Sequence, residues 1–275
     1  MALKTSMMDR PLHTYNSHYG LFNFQHFPNV EQLNQLATRV LPCEKAVPAF
    51  KANRYFAEDK RYYEEIICQS QVVPTRENNW HDFFNALIWM QFPKTKRLFS
   101  ELHQQDIAEF GLNPRTRRRN HITHFDECGV IIAIPSSMMT EGNALLTLLA
   151  NHDWERVFQS FKDCWHRVLF PIVFGHAMLE MMLQPFIGLT AKWLAVEVSD
   201  EFAELSFGQR NHLLDQALMQ RVQALGHFDI SHPLKPLPVL GVPGWYQHQS
   251  HQFYLNKAYF RPSSRTNEWP EYILL

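Results

Sequence analysis

The chain has 275 residues, enough to bury a large core, and 45% of them are hydrophobic against 19% charged. Such a composition excludes a disordered tail or a low-complexity linker. A net charge of −1 gives no field that would gather nucleic acid or an anionic membrane.

Residues 1–29 mix aromatic and polar side chains without a period, which predicts an irregular segment on the surface. The start, MALKTSMMDRPLH, has no long apolar region of the kind that leads a secreted chain. Residues 29–41 place apolar side chains at helical spacing. Residues 60–73 fit a helix or a strand, with Pro74 ending the run. NWHDFFNALIWMQF, 79–92, predicts a helix with Asn79 as its N-cap and Pro93 as its stop. A second helix, 94–111, closes on Gly111.

HITHFDECGVIIAI, 121–134, breaks the helical pattern and predicts a small β-hairpin turning on Asp-Glu-Cys-Gly. In that reading Asp126 opens the turn, Gly129 closes it in a left-handed conformation, and the role of Glu127 stays open. Helices are expected again over 142–151, 153–169, 172–184, 190–198 and 207–225. From 227 to 275 the proline-rich sequence predicts an extended tail wrapping the body. The expected fold is therefore mainly α: a single compact helical domain, with one hairpin and that tail.

Cys43, Cys68, Cys128 and Cys164 are far apart and form no CxxC pair, so they fit a reducing, cytoplasmic setting. No nucleotide-binding glycine loop and no GxSxG elbow occurs. The apolar stretch 168–196 is interrupted by Pro171, His176, Glu180, Pro185 and Lys192, so no transmembrane segment is expected.

Two helices carry polar residues where apolar ones dominate. On a wheel turning about 100° per residue, His81, Asn85 and Asp82 make a narrow polar wedge on an otherwise apolar helix. His176 and Glu180 repeat the pattern at i and i+4 within 172–184. A carboxylate buried there must be paired, protonated or bound to a cation. Two imidazoles and two carboxylates, His81, Asp82, His176 and Glu180, make a workable shell for zinc, manganese or ferrous iron. The same residues equally make an ordinary structural network, with Asp82 favoured by the helix dipole alone, or a metal-free ligand pocket. The basic run Arg115, Arg117, Arg118 and Arg119 offers an anion clamp or a solvated loop.

The segments PTRENNWHDFFNALIWMQFPKTK, HFDECGV, VFGHAMLE, PLPVLGVPGW and FYLNKAYFRP together closely resemble the uncharacterised bacterial family called domain of unknown function 3025, over residues of about 50 to 262. The resemblance implies a cytoplasmic proteobacterial protein and assigns no catalytic residue. The family pattern has an Arg-Asp pair where this chain has Arg119-Asn120.

The leading expectation is a hydrolase acting on a small anionic substrate, with or without metal assistance. Asp82 or Glu180 would serve as base or ligand, and His81 and His176 as ligands or proton carriers. Arg118 or Lys94 would clamp the anion, with Asn85 and Trp80 in the substrate pocket. The alternative is a non-catalytic module whose pocket near Trp80, Trp89 and Trp245 holds a small ligand. A third reading is a peripheral membrane or assembly protein that uses an exposed apolar face on 168–196.

Overall fold

A computed structural model describes residues 10–20, 26–41 and 47–263. Cys43 and the ends of both expected terminal segments lie outside those residues. The centre is strand β3 (Gly129–Pro135), GVIIAIP, buried at every position. An apolar run without alternation is a strand covered on both faces. β3 pairs antiparallel with β4 (Phe170–Val173). It pairs parallel with β5 (Thr190–Val198), from Gly129 opposite Lys192 to Pro135 opposite Val198. β6 (Lys235–Pro238) adds antiparallel to β5, giving the order β4-β3-β5-β6. A separate parallel pair joins β1 (Ala49–Ala52) to β2 (Val72–Thr75), with Pro74 inside the strand.

The fold is thus mixed α/β, which corrects the mainly helical expectation. Short apolar runs such as GVIIAIP and TAKWLAVEV have the length of strands, and periodicity alone does not separate them from buried helix. The hairpin over 121–134 is also corrected. Residues up to 128 form a helix, and only the second half is strand, paired to β4 and β5 rather than to its own neighbour. Of the helix expected over 153–169, the chain forms a π turn at Arg156–Ser160 and a 3-10 turn at Lys162–Cys164. That expected over 172–184 gives way to the end of β4 and a helix of six residues.

The helices are α1 (Arg10–Tyr19), in a segment expected to be irregular, α2 (Val30–Val40), α3 (Tyr63–Ser70), α4 (Trp80–Gln91), α5 (Pro93–Phe110), α6 (Arg117–Cys128), α7 (Met139–Ala150), α8 (His176–Met181), α9 (Phe207–Ala224) and α10 (His251–Tyr254). Asn79 caps α4 by accepting from the Asp82 amide, and every residue from Phe83 to Gln91 is buried. Pro93 stops α4 and occupies the first turn of α5, where its missing N–H costs nothing. Thr116 caps α6 through the Arg119 amide.

The C-terminal stretch does not merely wrap the body. It supplies β6 and sends Leu240, Trp245, Tyr259 and Phe260 into the core. In the 168–196 stretch, Val168, Leu169, Val173, Phe174, Met178, Leu179 and Met182 are buried, so the membrane-face reading loses its surface. Among the described residues no helix is long and apolar enough to cross a membrane.

Candidate metal centre

Three elements meet beside the sheet's edge. His81 lies in the first turn of α4, Glu127 near the end of α6, and His176 at the start of α8. Gly175 makes the last approach possible. A Cβ there would sit 2.4 Å from the Glu127 carbonyl oxygen and 2.5 Å from the Gly129 nitrogen. With only hydrogen in that space, the Phe174 and Gly175 amides both donate to the Gly129 carbonyl at 2.9 Å. The start of α8 is thereby seated on the junction of α6 and β3, with His176 beside Glu127. Gly129 is equally constrained, since its Cβ would fall 2.4 Å from the Phe125 carbonyl oxygen. Close packing therefore demands this glycine. Its φ of −73° is not the left-handed value expected of a turn.

The two imidazole Nε2 atoms of His81 and His176 stand 3.1 Å apart. Glu127 Oε2 is 3.5 Å from His176 Nε2 and 3.8 Å from His81 Nε2. Donor atoms about 2.0–2.1 Å from a tetrahedral ion lie roughly 3.4 Å from one another, so the triangle has the size of three corners of such a site. The set is two imidazoles and one carboxylate, with the fourth corner left for water or substrate. Glu180 Oε2 lies 3.2 Å from His81 Nδ1. A proton held on that nitrogen by the carboxylate leaves the Nε2 lone pair facing the other two donors. Burial pushes His176 down to about 3, against the opposing pull of Asp126, so its ring stays neutral and able to coordinate. Burial, then the neighbouring Asp126 charge, raises Glu127 above the usual carboxylate range, while His81 pulls it back.

Behind this trio is a buried polar wall. Lys96, 4% exposed, donates from Nζ to both Asp126 oxygens at 2.6 and 2.7 Å and to Asn85 Oδ1 at 3.0 Å. Asn85 Nδ2 donates to the Tyr63 hydroxyl at 3.0 Å. Burial alone would raise Asp126, but the Lys96 charge and the facing imidazoles outweigh it and hold the carboxyl below its ordinary value. In front lies a cavity of about 420 Å³, lined by the trio and by Arg76, Arg115 and Glu64 among others.

Of the residues singled out in the sequence, His81, His176 and Glu180 come together. Asp82 does not join them. Its carboxylate is turned to Arg76, accepting from the backbone amide at 2.6 Å and from Nη2 at 2.7 Å. Asn85 belongs to the wall. Trp80 stacks on Phe84 and meets Phe27 edge-on, outside the cavity lining. Lys94 gives its backbone amide to Asp215 at 2.9 Å, Arg118 is bound to Asp106, and neither lines the cavity. Trp245 borders a different cavity of about 170 Å³, with Tyr15, Phe170 and Arg210. Asp126, read as a turn opener, is a helical residue in a buried ion pair. Sequence reasoning left Glu127 open and missed Lys96 altogether. A lysine one turn into an apolar helix start was the only cue to it.

The family described as a protein of unknown function, DUF3025, matches residues 49–264, and the chain belongs to it. No curated protein and no solved structure matches the chain.

Proposed function

We propose that the chain is a metal-dependent hydrolase in which His81, Glu127 and His176 hold a zinc-like divalent ion. The observation that carries this reading is the triangle of 3.1, 3.5 and 3.8 Å at the foot of a polar cavity. An ion held by three protein donors keeps a position for water and lowers its pKa towards neutrality, which supplies a nucleophile without a strong base. Glu180 positions His81. The Lys96–Asp126 pair anchors the helix that carries Glu127. A reducing, cytoplasmic compartment accords with the free thiols of Cys68, Cys128 and Cys164.

A second reading has its own support. Two imidazoles 3.1 Å apart can share one N–H···N hydrogen bond, and the trio is then only part of a structural network beside a ligand pocket. Elemental analysis of purified, untagged protein separates the two. The hydrolase reading expects about one equivalent of metal, lost in His176→Ala and Glu127→Ala. Metal-free protein that takes up no added zinc would leave the non-catalytic ligand-binding module.

A further inference from the structure

The cavity has a second end that the metal does not explain. Its charged lining pairs off unevenly. Arg76 is spent on Asp82 and Lys96 on Asp126. Arg115, exposed at the rim, has no carboxylate partner among the described residues, and its Nη2 donates only to the Tyr62 hydroxyl at 3.2 Å.

Directly behind Tyr62 is Arg119, with no exposed surface, its guanidinium 5.8 Å from the Tyr62 ring centre. Its Nη1 donates to the Leu112 carbonyl at 2.8 Å, and its Nε to His103 Nδ1 at 3.4 Å. The remaining Nη2 is buried without a partner. Glu64 lines the same space, and its Oε2 is likewise buried and unpartnered. Burial raises this carboxyl to about 7, with Asp126 pushing the same way and Lys96 and Arg119 opposing. Two guanidinia thus face one carboxyl that is partly neutral near pH 7. A buried orphan donor is rare in a folded protein and costs free energy until something accepts from it.

We propose that the Arg115 end of the cavity is an oxyanion subsite, in which Arg115 and Arg119 hold the phosphate or carboxylate group of the substrate. That this anion belongs to a substrate rests on the hydrolase reading above. The binding itself does not, because its donors are separate from the three metal ligands. Guanidinia suit the task, since their paired N–H groups match two oxygens of one oxyanion. With the anion there, the rest of the substrate extends along the cavity towards His81, Glu127 and His176.

Sulfate is the probe, because it does not titrate in the working range. Isothermal titration calorimetry of the full chain, after chelator treatment, should show saturable sulfate binding at pH 7. Arg115→Ala, an exposed change that leaves the core intact, should weaken it about tenfold or more, as losing a charge-assisted hydrogen bond does. His81→Ala should leave it unchanged. Displacement of sulfate by inorganic phosphate and not by acetate assigns a phosphoryl group, and the reverse a carboxylate. Absence of saturable binding, or equal binding by Arg115→Ala, overturns the subsite. Binding that needs added zinc and disappears in His81→Ala puts the anion on the metal; this also overturns the subsite while sparing the metal reading. Conversely, a chain that binds sulfate through Arg115 but takes up no zinc keeps the subsite and loses the hydrolase.

Discussion

Gly175→Ala should dismantle the candidate centre without touching any of its polar groups. The new Cβ would lie 2.4 Å from the Glu127 carbonyl oxygen, 2.5 Å from the Gly129 nitrogen and 2.6 Å from the Cys128 Cα. All three are backbone atoms, so no side chain can swing aside. Ordinary contact begins near 3.4 Å, and the start of α8 must therefore retreat by about 1 Å. That retreat carries His176 with it and opens its 3.5 Å separation from Glu127 to roughly 4.5 Å. Two arms of about 2.1 Å span at most about 4.2 Å, so one ion can no longer bridge the pair. The two amide bonds to the Gly129 carbonyl lengthen as well. Overpacking of this kind costs about 1–3 kcal/mol. Urea unfolding should show that loss, and competition with a chromophoric chelator should show zinc affinity reduced by more than Glu180→Ala reduces it. Wild-type stability together with wild-type zinc binding in Gly175→Ala would refute the claim that this close approach sets the geometry.

Glu180→Ala should weaken zinc binding by roughly 10–100-fold, the usual cost of losing the group that orients a ligating histidine. Its side chain is 39% exposed, so the thermal midpoint of the metal-free protein should hardly move. Lys96→Met removes one partner of a buried ion pair and should cost about 3–5 kcal/mol in urea unfolding, far more than any exposed lysine in the chain. His103 gives the pH dependence. Burial first, then the nearby arginines and Lys96, lowers it from 6.5 to about 4, with Asp126 opposing. Between those values the unfolded chain binds a proton that the folded chain refuses, so stability is complete above pH 6.5 and falls as the pH drops towards 4. At pH 5 the loss is on the order of 2 kcal/mol. His103→Gln should flatten that limb of the stability curve, and an unchanged slope would show that other groups set it.

The parts of the site visible in the sequence are those that contradict their surroundings. His81, His176 and Glu180 stand out because they interrupt apolar runs, and they do sit together. Glu127 was hidden by its context: Asp-Glu-Cys-Gly matches the composition of a turn, yet Thr116 caps a helix that runs through it to Cys128. Gly129 was legible as a special position, for the wrong reason, because a missing Cβ serves close approach as well as a left-handed backbone. Among four nearby arginines, pattern could not say which faces inward. Arg118 is consumed by Asp106 and Arg119 is buried, leaving Arg115 at the cavity. The sheet failed for a different cause. β3 and β5 are some sixty residues apart and pair in parallel, and their apolar runs lack the alternation that marks a half-exposed strand.

The three donors of the centre are drawn from segments nearly fifty residues apart along the chain, on α4, α6 and α8. No stretch of unfolded polypeptide presents them together. An ion that binds here therefore binds the assembled state almost alone, and its affinity is added to the stability of the whole fold. At a free concentration one hundred times its dissociation constant it would contribute about 2.7 kcal/mol. Metal supply would then govern how much of the chain survives proteolysis as well as how much of it is active.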